Sequence, residues 1–339
     1  MAVENVIGIL GAGRIGRLHA ENIVHFLPNV KIKYIVDTYL TPEIKSWANS
    51  IGVTNVNKDP NVIFNDTEID SIFICSPTPT HCDFILKACD TKKNVFCEKP
   101  LDSDLSRIYK AMDAINKSRI KFLMGFMRRF DVNHKKIHDS IAAGSIGKPE
   151  IIKICSRDPG LPSFEYIASS GGLFFDMMIH DFDLARYFSL SEVEEVYAKG
   201  AVLVDSRMTN YGDVDTAIVT LQFKNGALGV IDDSRRTTYG YDQRMEVHGE
   251  KGCIQVSNII SSTVTLNNEK GVLHDKPVNF FLERYNNAFI EEEKTFFEVV
   301  NKDKPAPVTV VDGLQSILIA MAAKKSFIEN RPVKISEIQ

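Results

Sequence analysis

Residues 6–16 have the sequence VIGILGAGRIG and decide the fold of the first part of the chain. A short apolar run ends at Leu10, and the motif Gly11-Ala12-Gly13-Arg14-Ile15-Gly16 leads into a helical pattern that lasts to about Phe26. The first glycine permits a tight turn, the second lets the backbone approach a pyrophosphate, and the third lets the helix pack on the strand. The helix N-terminus then offers free N–H groups to phosphates. The stretch therefore predicts the opening strand, turn and helix of a dinucleotide-binding domain.

An acidic residue about 20 positions further along supports this interpretation. The strand-like residues 30–36 end at Asp37, and Thr38 follows with no arginine nearby. A carboxylate at this position can hydrogen-bond the ribose hydroxyls of NAD and repel the 2′-phosphate of NADP. The alternative is an ordinary solvated acid at a strand end, which the neighbouring glycine motif makes less favoured. We expect NAD as the cofactor.

Strand and helix patterns alternate as far as residue 125. Buried-type strands are predicted over residues 70–75, 94–97 and 121–125, and helices over residues 42–51, 81–89 and 105–118. Alternation of this kind indicates βαβ units and a parallel sheet covered on both faces. We predict a Rossmann dinucleotide-binding domain over residues 1–125.

The pattern changes beyond residue 125. A helix is predicted over residues 132–143 and a long one over residues 171–188, followed by strand-like stretches between residues 193 and 267. Asn225-Gly226 is a hairpin signal between two of these strands. Two further helices, residues 285–300 and 311–329, close the chain. We predict an α/β protein whose second domain, residues 126–339, is α+β with a large, mostly antiparallel sheet; its final helix could also pack back on the first domain.

Length and composition agree with two folded domains. The chain has 339 residues, 44% of them hydrophobic and 25% charged, with a net charge of −4. This balance provides no overall attraction to nucleic acid or to an anionic membrane. The N-terminus lacks a basic signal-peptide region, and the six cysteines form neither a Cys-x-x-Cys pair nor a zinc-spaced cluster with histidine. We expect a cytoplasmic protein without a metal, a membrane segment or a nucleic-acid partner.

Three further segments carry residues suited to chemistry. Ser76-Pro77-Thr78 and the following His81 come after one predicted strand, and Glu98-Lys99-Pro100 after the next. Ligands of open α/β sheets bind at this carboxyl edge. Asp176 and His180 are spaced i, i+4 and share a face if residues 171–188 form one helix. Each segment alone is more often structural, but together with the glycine motif they favour a functional site.

The predicted cofactor site combines the glycine motif and Asp37 with the two segments that follow the predicted strands 70–75 and 94–97. Its residues are Gly11, Gly13, Arg14, Ile15, Gly16, Asp37, Ser76, Pro77, Thr78, His81, Glu98 and Lys99.

These motifs, in this order, resemble the glucose–fructose oxidoreductase/inositol dehydrogenase/rhizopine-catabolism (Gfo/Idh/MocA) family. The glycine motif, Ser-Pro-Thr-Pro-Thr-His, Glu-Lys-Pro and Gly-Gly-Leu-x-x-Asp-x-x-x-His-Asp follow its pattern along nearly the whole chain. Residues 125–131, 156–159, 177–187 and 239–244 are most similar to the bacterial myo-inositol 2-dehydrogenases of that family. The resemblance implies NAD-dependent oxidation of the axial hydroxyl of myo-inositol to the 2-keto product, and homotetramers joined through the C-terminal sheets.

The resemblance also implies roles for individual residues. His180 would be the base, Asp176 would orient it or bind a substrate hydroxyl, and Lys99 would donate to the reacting oxygen. Residues expected to bind the polyol are these three with Met127, Arg128, Arg157, Asp158 and Tyr239. A structural ion pair is the alternative for Arg128 and Arg157, and a core or interface aromatic for Tyr239.

Several rival functions remain open at this stage. Sister enzymes act on scyllo-inositol, another inositol isomer or a pyranose, and the sequence pattern does not rank hydroxyl stereochemistry. A non-catalytic NAD-binding sensor would have no need of Lys99, Asp176 and His180 together. A glycosidase that uses NAD transiently is disfavoured by the inositol-like stretches.

Overall fold

The computed structural model describes residues 5–338 and contains two compact units. The first extends to Phe130 and also includes Asn287–Leu314; the second is Asp131–Asn286 with the residues from Gln315 onward. The predicted division is at residue 125, with the later residues in the second domain and, as an alternative, the final helix packed back on the first. The structure differs because Phe296 and Phe297 of the returning segment lie in the hydrophobic core of the first unit.

The first unit is built on a six-stranded sheet in the order β3-β2-β1-β4-β5-β6, in which every neighbouring pair is parallel. This is the strand order of a dinucleotide-binding sheet, with its reversal between β1 and β4. The strands are β1 (Asn5–Leu10), β2 (Val30–Val36), β3 (Val56–Asn57), β4 (Ser71–Ile74), β5 (Asn94–Glu98) and β6 (Phe122–Gly125). The helices are α1 (Arg14–Phe26), α2 (Pro42–Ser50), α3 (Asn61–Phe64), α4 (His81–Asp90) and α5 (Leu105–Ser118).

Aromatic rings fill the core of this unit. Phe73 of β4 stacks on Phe96 of β5 with ring centroids 4.6 Å apart. Phe296 approaches Phe73 edge-on at 5.3 Å, and Phe297 lies at 5.9 Å. Offset and edge-to-face pairs of this kind add to the free energy gained by burial. The returning segment therefore completes a core that β4 and β5 begin.

The second unit is built on a seven-stranded sheet in the order β12-β11-β7-β10-β9-β8-β15. One pair, β7 with β10, is parallel and the others are antiparallel, so the predicted mostly antiparallel sheet is confirmed. Its strands are β7 (Pro149–Arg157), β8 (Val193–Ala201), β9 (Thr216–Phe223), β10 (Leu228–Ser234), β11 (Asp242–Gly249), β12 (Gly252–Val256) and β15 (Val333–Lys334). A separate hairpin is formed by β13 (Thr265–Asn268) and β14 (Gly271–His274).

The helices of this part of the chain differ from the prediction at one place. They are α6 (Val132–Ala142), α7 (Phe164–Ser170), α8 (Leu173–Asp176), α9 (Ile179–Ser189), α10 (Phe281–Asn301) and α11 (Val310–Glu329). The single helix predicted over residues 171–188 is wrong. Gly171 and Gly172 have left-handed φ angles of 85° and 89°, which delay its start. The Met178 N–H then bonds to Leu173 O, and the His180 N–H to Met177 O, which interrupts the i to i−4 pattern.

One face of the large sheet is buried and the other is open. Along β7, Ile152, Ile154 and Ser156 are buried and α9 packs on the strand, whereas Ile151 and Lys153 are exposed. Side chains alternate between the faces of a strand, so Arg157 belongs to the open face.

Across residues 5–338, none of the helices combines the length and the apolar character needed to cross a lipid bilayer.

The aromatic core yields a stability prediction. Phe73→Ala removes a fully buried ring that packs against three other phenylalanine rings, so it should lower the free energy of unfolding by about 3–5 kcal/mol. Phe26→Ala, at a ring that is 51% exposed, is the matched control and should cost less than about 1 kcal/mol. Urea titrations followed by circular dichroism measure both; equal losses would contradict the central place of Phe73.

Candidate active site

The glycine motif forms a tight turn between β1 and α1. Gly11 has a φ of 100°, and a Cβ on it would lie 2.5 Å from the carbonyl oxygen of Cys75. A Cβ on Gly16 would lie 2.0 Å from the Gly11 carbonyl oxygen. Both positions therefore require glycine, the first for its backbone angle and the second for the packing of α1 against the turn.

The start of α1 suits an anion. A Cβ on Gly13 would meet no atom of residues 5–338 within 4 Å, so the backbone there faces open space. In the part of the chain that the structure describes, no side chain caps this N-terminus, and the first turn of α1 holds no acid. The backbone N–H groups of this first turn and the positive end of the helix dipole therefore suit a pyrophosphate.

Asp37 lies beside the turn, at the end of β2. One carboxylate oxygen accepts from the Ala12 N–H at 2.7 Å and the other from the Tyr39 N–H at 2.8 Å. Each oxygen retains a second acceptor position, because a carboxylate offers about four lone-pair sites. The group therefore fits the ribose of a dinucleotide that binds to the turn, and the residues present suit NAD.

Two loops follow β4 and β5 at the same edge of the sheet. The Ser76 and Thr80 hydroxyls lie 2.6 Å apart, and Pro77 and Thr78 stand between them in the turn. His81 is buried, with Nε2 at 2.7 Å from Ser76 O and Nδ1 at 2.7 Å from Pro100 O. Burial lowers the pKa of His81, while its two carbonyl partners act in the opposite direction. His81 thus joins the two loops.

The loop after β5 carries Glu98 and Lys99. The Lys99 N–H donates to one carboxylate oxygen of Glu98 at 3.2 Å, and the other oxygen contacts His19. Met127 and Arg128 lie in a buried 3₁₀ turn, Met127–Phe130, just after β6. Arg14 is exposed and Ile15 half-buried at the start of α1.

In the second unit, the structure gathers Asp176 and Asp158 around Arg235. Arg235 donates to Asp176 at 3.1 Å and lies 3.9 Å from Asp158, with only 2% of its surface exposed. The second oxygen of Asp176 accepts from the Tyr166 hydroxyl at 2.7 Å. Burial alone would lower the pKa of Arg235, but the two carboxylates raise it overall. Asp176 is therefore held in one orientation as a hydrogen-bond acceptor.

His180 is buried near the start of α9, and Asp176 is the last residue of α8. The predicted i, i+4 arrangement on one continuous helix does not occur, because the helix is interrupted between them. Their side chains are placed by separate helices, and Asp176 is oriented by Tyr166 and Arg235.

Arg157 and Tyr239 belong to a different group, on the open face of the sheet. Arg157 donates to Asp232 through Nε at 2.9 Å and contacts the Tyr239 hydroxyl at 3.3 Å. The Tyr239 hydroxyl in turn donates to Asp242 at 2.7 Å. The structure thus brings Arg157 and Tyr239 together on the open face of the sheet. Ser156 and Asp233 lie on the buried face.

Sequence analysis missed Arg235 and Tyr166. Arg235 directly follows β10, in Asp232-Asp233-Ser234-Arg235-Arg236. The sequence alone does not show which of the two neighbouring arginines is buried. The alternation of buried and exposed side chains along β10 would have favoured Arg235. Tyr166 lies in α7, a helix of seven residues without a strong periodic pattern.

Comparison with known proteins shows the family to which the chain belongs. Residues 6–126 match the model of an oxidoreductase family with an NAD-binding Rossmann fold. The fold class, the cofactor and the oxidoreductase prediction are confirmed: the chain is an NAD-binding Rossmann-fold oxidoreductase. Residues 134–255 match the GFO/IDH/MocA C-terminal domain. The chain therefore belongs to the GFO/IDH/MocA family, as its motifs indicated.

Individual relatives align over almost the full length. A myo-inositol 2-dehydrogenase of Thermotoga maritima is 45% identical, covering 98% of this chain and 99% of the relative. A scyllo-inositol 2-dehydrogenase (NAD(+)) of Bacillus subtilis is 36% identical, covering 96% and 95%. The crystal structure of a probable dehydrogenase from Thermotoga maritima superimposes with a TM-score of 0.95 at 44% identity, covering 98% and 100%.

The glycine motif allows a test that separates binding from folding. Gly13→Ala places a methyl group in the space proposed for the pyrophosphate, so it should weaken NAD binding at least about tenfold while leaving the melting temperature nearly unchanged. Gly16→Ala should instead destabilise the fold by about 1–3 kcal/mol, because its methyl group overlaps the Gly11 carbonyl. Calorimetric titration and thermal unfolding distinguish the two. Normal NAD binding by Gly13→Ala would contradict the assigned cofactor position.

Asp37 allows a test of cofactor choice. Asp37→Ala should reduce the preference for NAD over NADP by at least about tenfold, because the 2′-phosphate no longer meets a carboxylate. It also removes the acceptor of the Ala12 N–H, so NAD binding itself should weaken. Dissociation constants for both cofactors provide the measurement. An unchanged ratio would mean that Asp37 does not touch the ribose.

Proposed function

We propose that this protein oxidises a secondary hydroxyl of a cyclic polyol, with myo-inositol converted to its 2-keto derivative and NAD reduced. The observation that carries the choice of substrate is the 45% identity, over 98% of the chain, to a myo-inositol 2-dehydrogenase. When bound, NAD supplies the hydride acceptor. The protein's own residues must bind the polyol, orient one hydroxyl and take its proton.

In this proposal His180 accepts the hydroxyl proton, since an imidazole titrates near neutral pH. Lys99 donates a hydrogen bond to the same oxygen and stabilises its developing negative charge. Asp176 accepts from His180 or from a neighbouring substrate hydroxyl. Its bonds to Tyr166 and Arg235 support this role because they keep the carboxylate oriented.

Polyol binding is assigned to further polar residues. A polyol site needs many paired donors and acceptors, because each unpaired buried polar group costs about 1–3 kcal/mol. Asp158 is supported by its place beside Arg235, and Arg128 by its burial at the end of the first unit. Met127 would supply an apolar contact. Arg157 and Tyr239 are also proposed to bind the polyol. Both lie on the open face of the sheet, where Arg157 is hydrogen-bonded to Asp232 and Tyr239 to Asp242.

A second candidate substrate is scyllo-inositol. The Bacillus subtilis relative named for that isomer is 36% identical over nearly the whole chain. The two inositols differ in the orientation of one hydroxyl, so the same catalytic residues serve both and the binding residues decide between them.

The open face of the large sheet supports a further proposal, a cytoplasmic homotetramer associated through this face. Ile151, Ile218 and Leu228 expose 39%, 54% and 56% of their surface there. Exposed apolar side chains on one face of a sheet are typical of subunit contacts. Sedimentation of the purified protein tests the number of subunits.

Activity on a panel of polyols tests the proposed function. Purified protein with NAD should form NADH, measured by absorbance, with myo-inositol or scyllo-inositol and much less with glucose or glycerol. The preferred isomer should show the highest kcat/KM. Absence of NADH formation across the panel would reject the dehydrogenase proposal.

A substitution at His180 tests the proposed base. His180→Ala should reduce kcat at least about a hundredfold, because general base catalysis contributes about 10²- to 10⁴-fold. NAD affinity should change little. The control is His248→Ala, at a half-exposed histidine of β11. Equal losses of turnover and NAD affinity in His180→Ala would contradict its role as base.

A further inference from the structure

A buried histidine of the first unit, His19, is connected to Lys99 through a carboxylate. His19 is fully buried on α1, three residues beyond Gly16. Its Nδ1 lies 2.7 Å from Glu293 Oε1 and its Nε2 lies 2.9 Å from Glu98 Oε1. Carboxylate oxygens only accept, so a ring that donates to both is an imidazolium. Burial acts to lower the pKa of His19, but the two glutamates raise it to about 10.

Glu98 uses its two oxygens for different partners. Oε1 accepts from His19, and Oε2 accepts from the backbone N–H of Lys99 at 3.2 Å. Charge-assisted hydrogen bonds of this kind are stronger than neutral ones. The orientation of the Glu98 carboxylate, and with it the Lys99 backbone, therefore depends on the charge of His19.

The surroundings leave His19 a single orientation. Its ring meets Phe73, Phe96 and Phe289 edge-on, with centroids 4.9–5.7 Å away. Because these rings offer no competing acceptor, the ring nitrogens stay directed at the two carboxylates. Asn22, one turn further along α1, donates to Glu293 at 3.3 Å and helps to hold that side of the pair.

Glu292 is a third carboxyl group near His19, besides Glu98 and Glu293. It is fully buried, and its oxygens have no hydrogen-bond partner among residues 5–338. Burial raises its pKa well above the ordinary range, because the charged form loses its solvation there. Burial also raises the pKa of Glu293, although His19 acts in the opposite direction.

We propose that His19 is a positioning residue for Lys99, acting through Glu98 to fix the backbone at the lysine. The role rests on the proposed function, in which Lys99 contacts the reacting oxygen. It also connects the helix that begins at the glycine motif with the residue that acts on the substrate. Because His81 holds the neighbouring Pro100 carbonyl independently, loss of His19 should loosen the loop without unfolding it.

The test uses the protein with three single variants and the double variant that combines His19→Gln with Glu98→Gln. His19→Gln and Glu98→Gln remove the charge with little change in size. Asn22→Ala is the control, since it removes another buried polar group of α1 that contacts Glu293. Hydrogen exchange at the Lys99 amide, read from peptides of residues 94–104, reports on the backbone without requiring any enzymatic activity.

We expect exchange at Lys99 to accelerate about tenfold in both glutamine variants and to stay unchanged in Asn22→Ala. With the preferred polyol, kcat of His19→Gln should fall about tenfold while its dissociation constant for NAD changes less than about twofold. The double variant should lose no more than either single one, since both act through one contact.

The dependence on pH provides an independent measurement. A folded-state pKa raised from 6.5 to about 10 contributes stability that is complete below pH 6.5 and is lost as the pH rises toward 10. The difference in melting temperature between the wild type and His19→Gln should therefore be largest near pH 6.5 and shrink toward pH 10. Glu98, Glu293 and Glu292 are the charged or titratable groups that face His19, and all three are present in both proteins.

Three outcomes would overturn the proposal. Unchanged exchange at Lys99 in His19→Gln, with only a lower melting temperature, would make His19 purely structural. If Asn22→Ala changed the exchange at Lys99 and kcat as much as His19→Gln does, the effect would not be specific to His19. A stoichiometric divalent ion found by elemental analysis and lost in Glu292→Gln would mean that His19, Glu98 and Glu292, whose ligand atoms lie within 4.8 Å of one another, bind a metal instead. A wild type without polyol activity would reject the proposed function, and the exchange data would still decide the role of His19.

Discussion

The contact between Gly16 and the carbonyl of Gly11 is the constraint on which the first unit depends. With a Cβ at residue 16 only 2.0 Å from that oxygen, nothing larger than glycine lets α1 approach the turn. The approach directs the N-terminus of α1 at the space beside Gly13. It also sets the depth at which His19, one turn further on, enters the core. The direction of the α1 N-terminus and the position of His19 thus both follow from one close contact.

In the second unit, the orientation of the candidate site residues is set by electrostatic contacts rather than by close packing. Arg235 is buried, and a buried guanidinium is stable only with carboxylate partners. Asp176 and Asp158 meet this need, and their orientation is the result. The interrupted helix matters for the same reason, because it lets Asp176 turn to Tyr166 and Arg235 while His180 is placed by α9.

Sequence reasoning succeeded where local pattern determines structure. Strand β2 and helix α5 have the predicted bounds, because apolar periodicity and a terminating residue mark them clearly. The cofactor motif was recognisable because each glycine has a separate steric reason. The split of the long helix was not predictable in this way, since the break at Met177 and Met178 lies in a strongly helical composition.

Residues that act over long sequence separations were the least accessible. His19 and Glu293 are 274 positions apart, and Arg235 and Asp176 are 59 apart. A single sequence gives no sign that such residues meet. Lys99, Asp176 and His180 were predicted only because they lie in short motifs typical of the family. The role of each stays a prediction that the proposed experiments address.

The returning segment Asn287–Leu314 has a consequence for how the protein is made. The first unit contains residues up to Phe130, yet two of its core rings, Phe296 and Phe297, are synthesised only after residues 131–286 of the second unit. A ribosome that has released residues up to Phe130 has produced a sheet whose aromatic face still lacks these rings. The nascent chain must therefore keep Phe73 and Phe96 protected while residues 131–286 of the second unit are synthesised. A fragment ending at Phe130 would be prone to aggregate for the same reason.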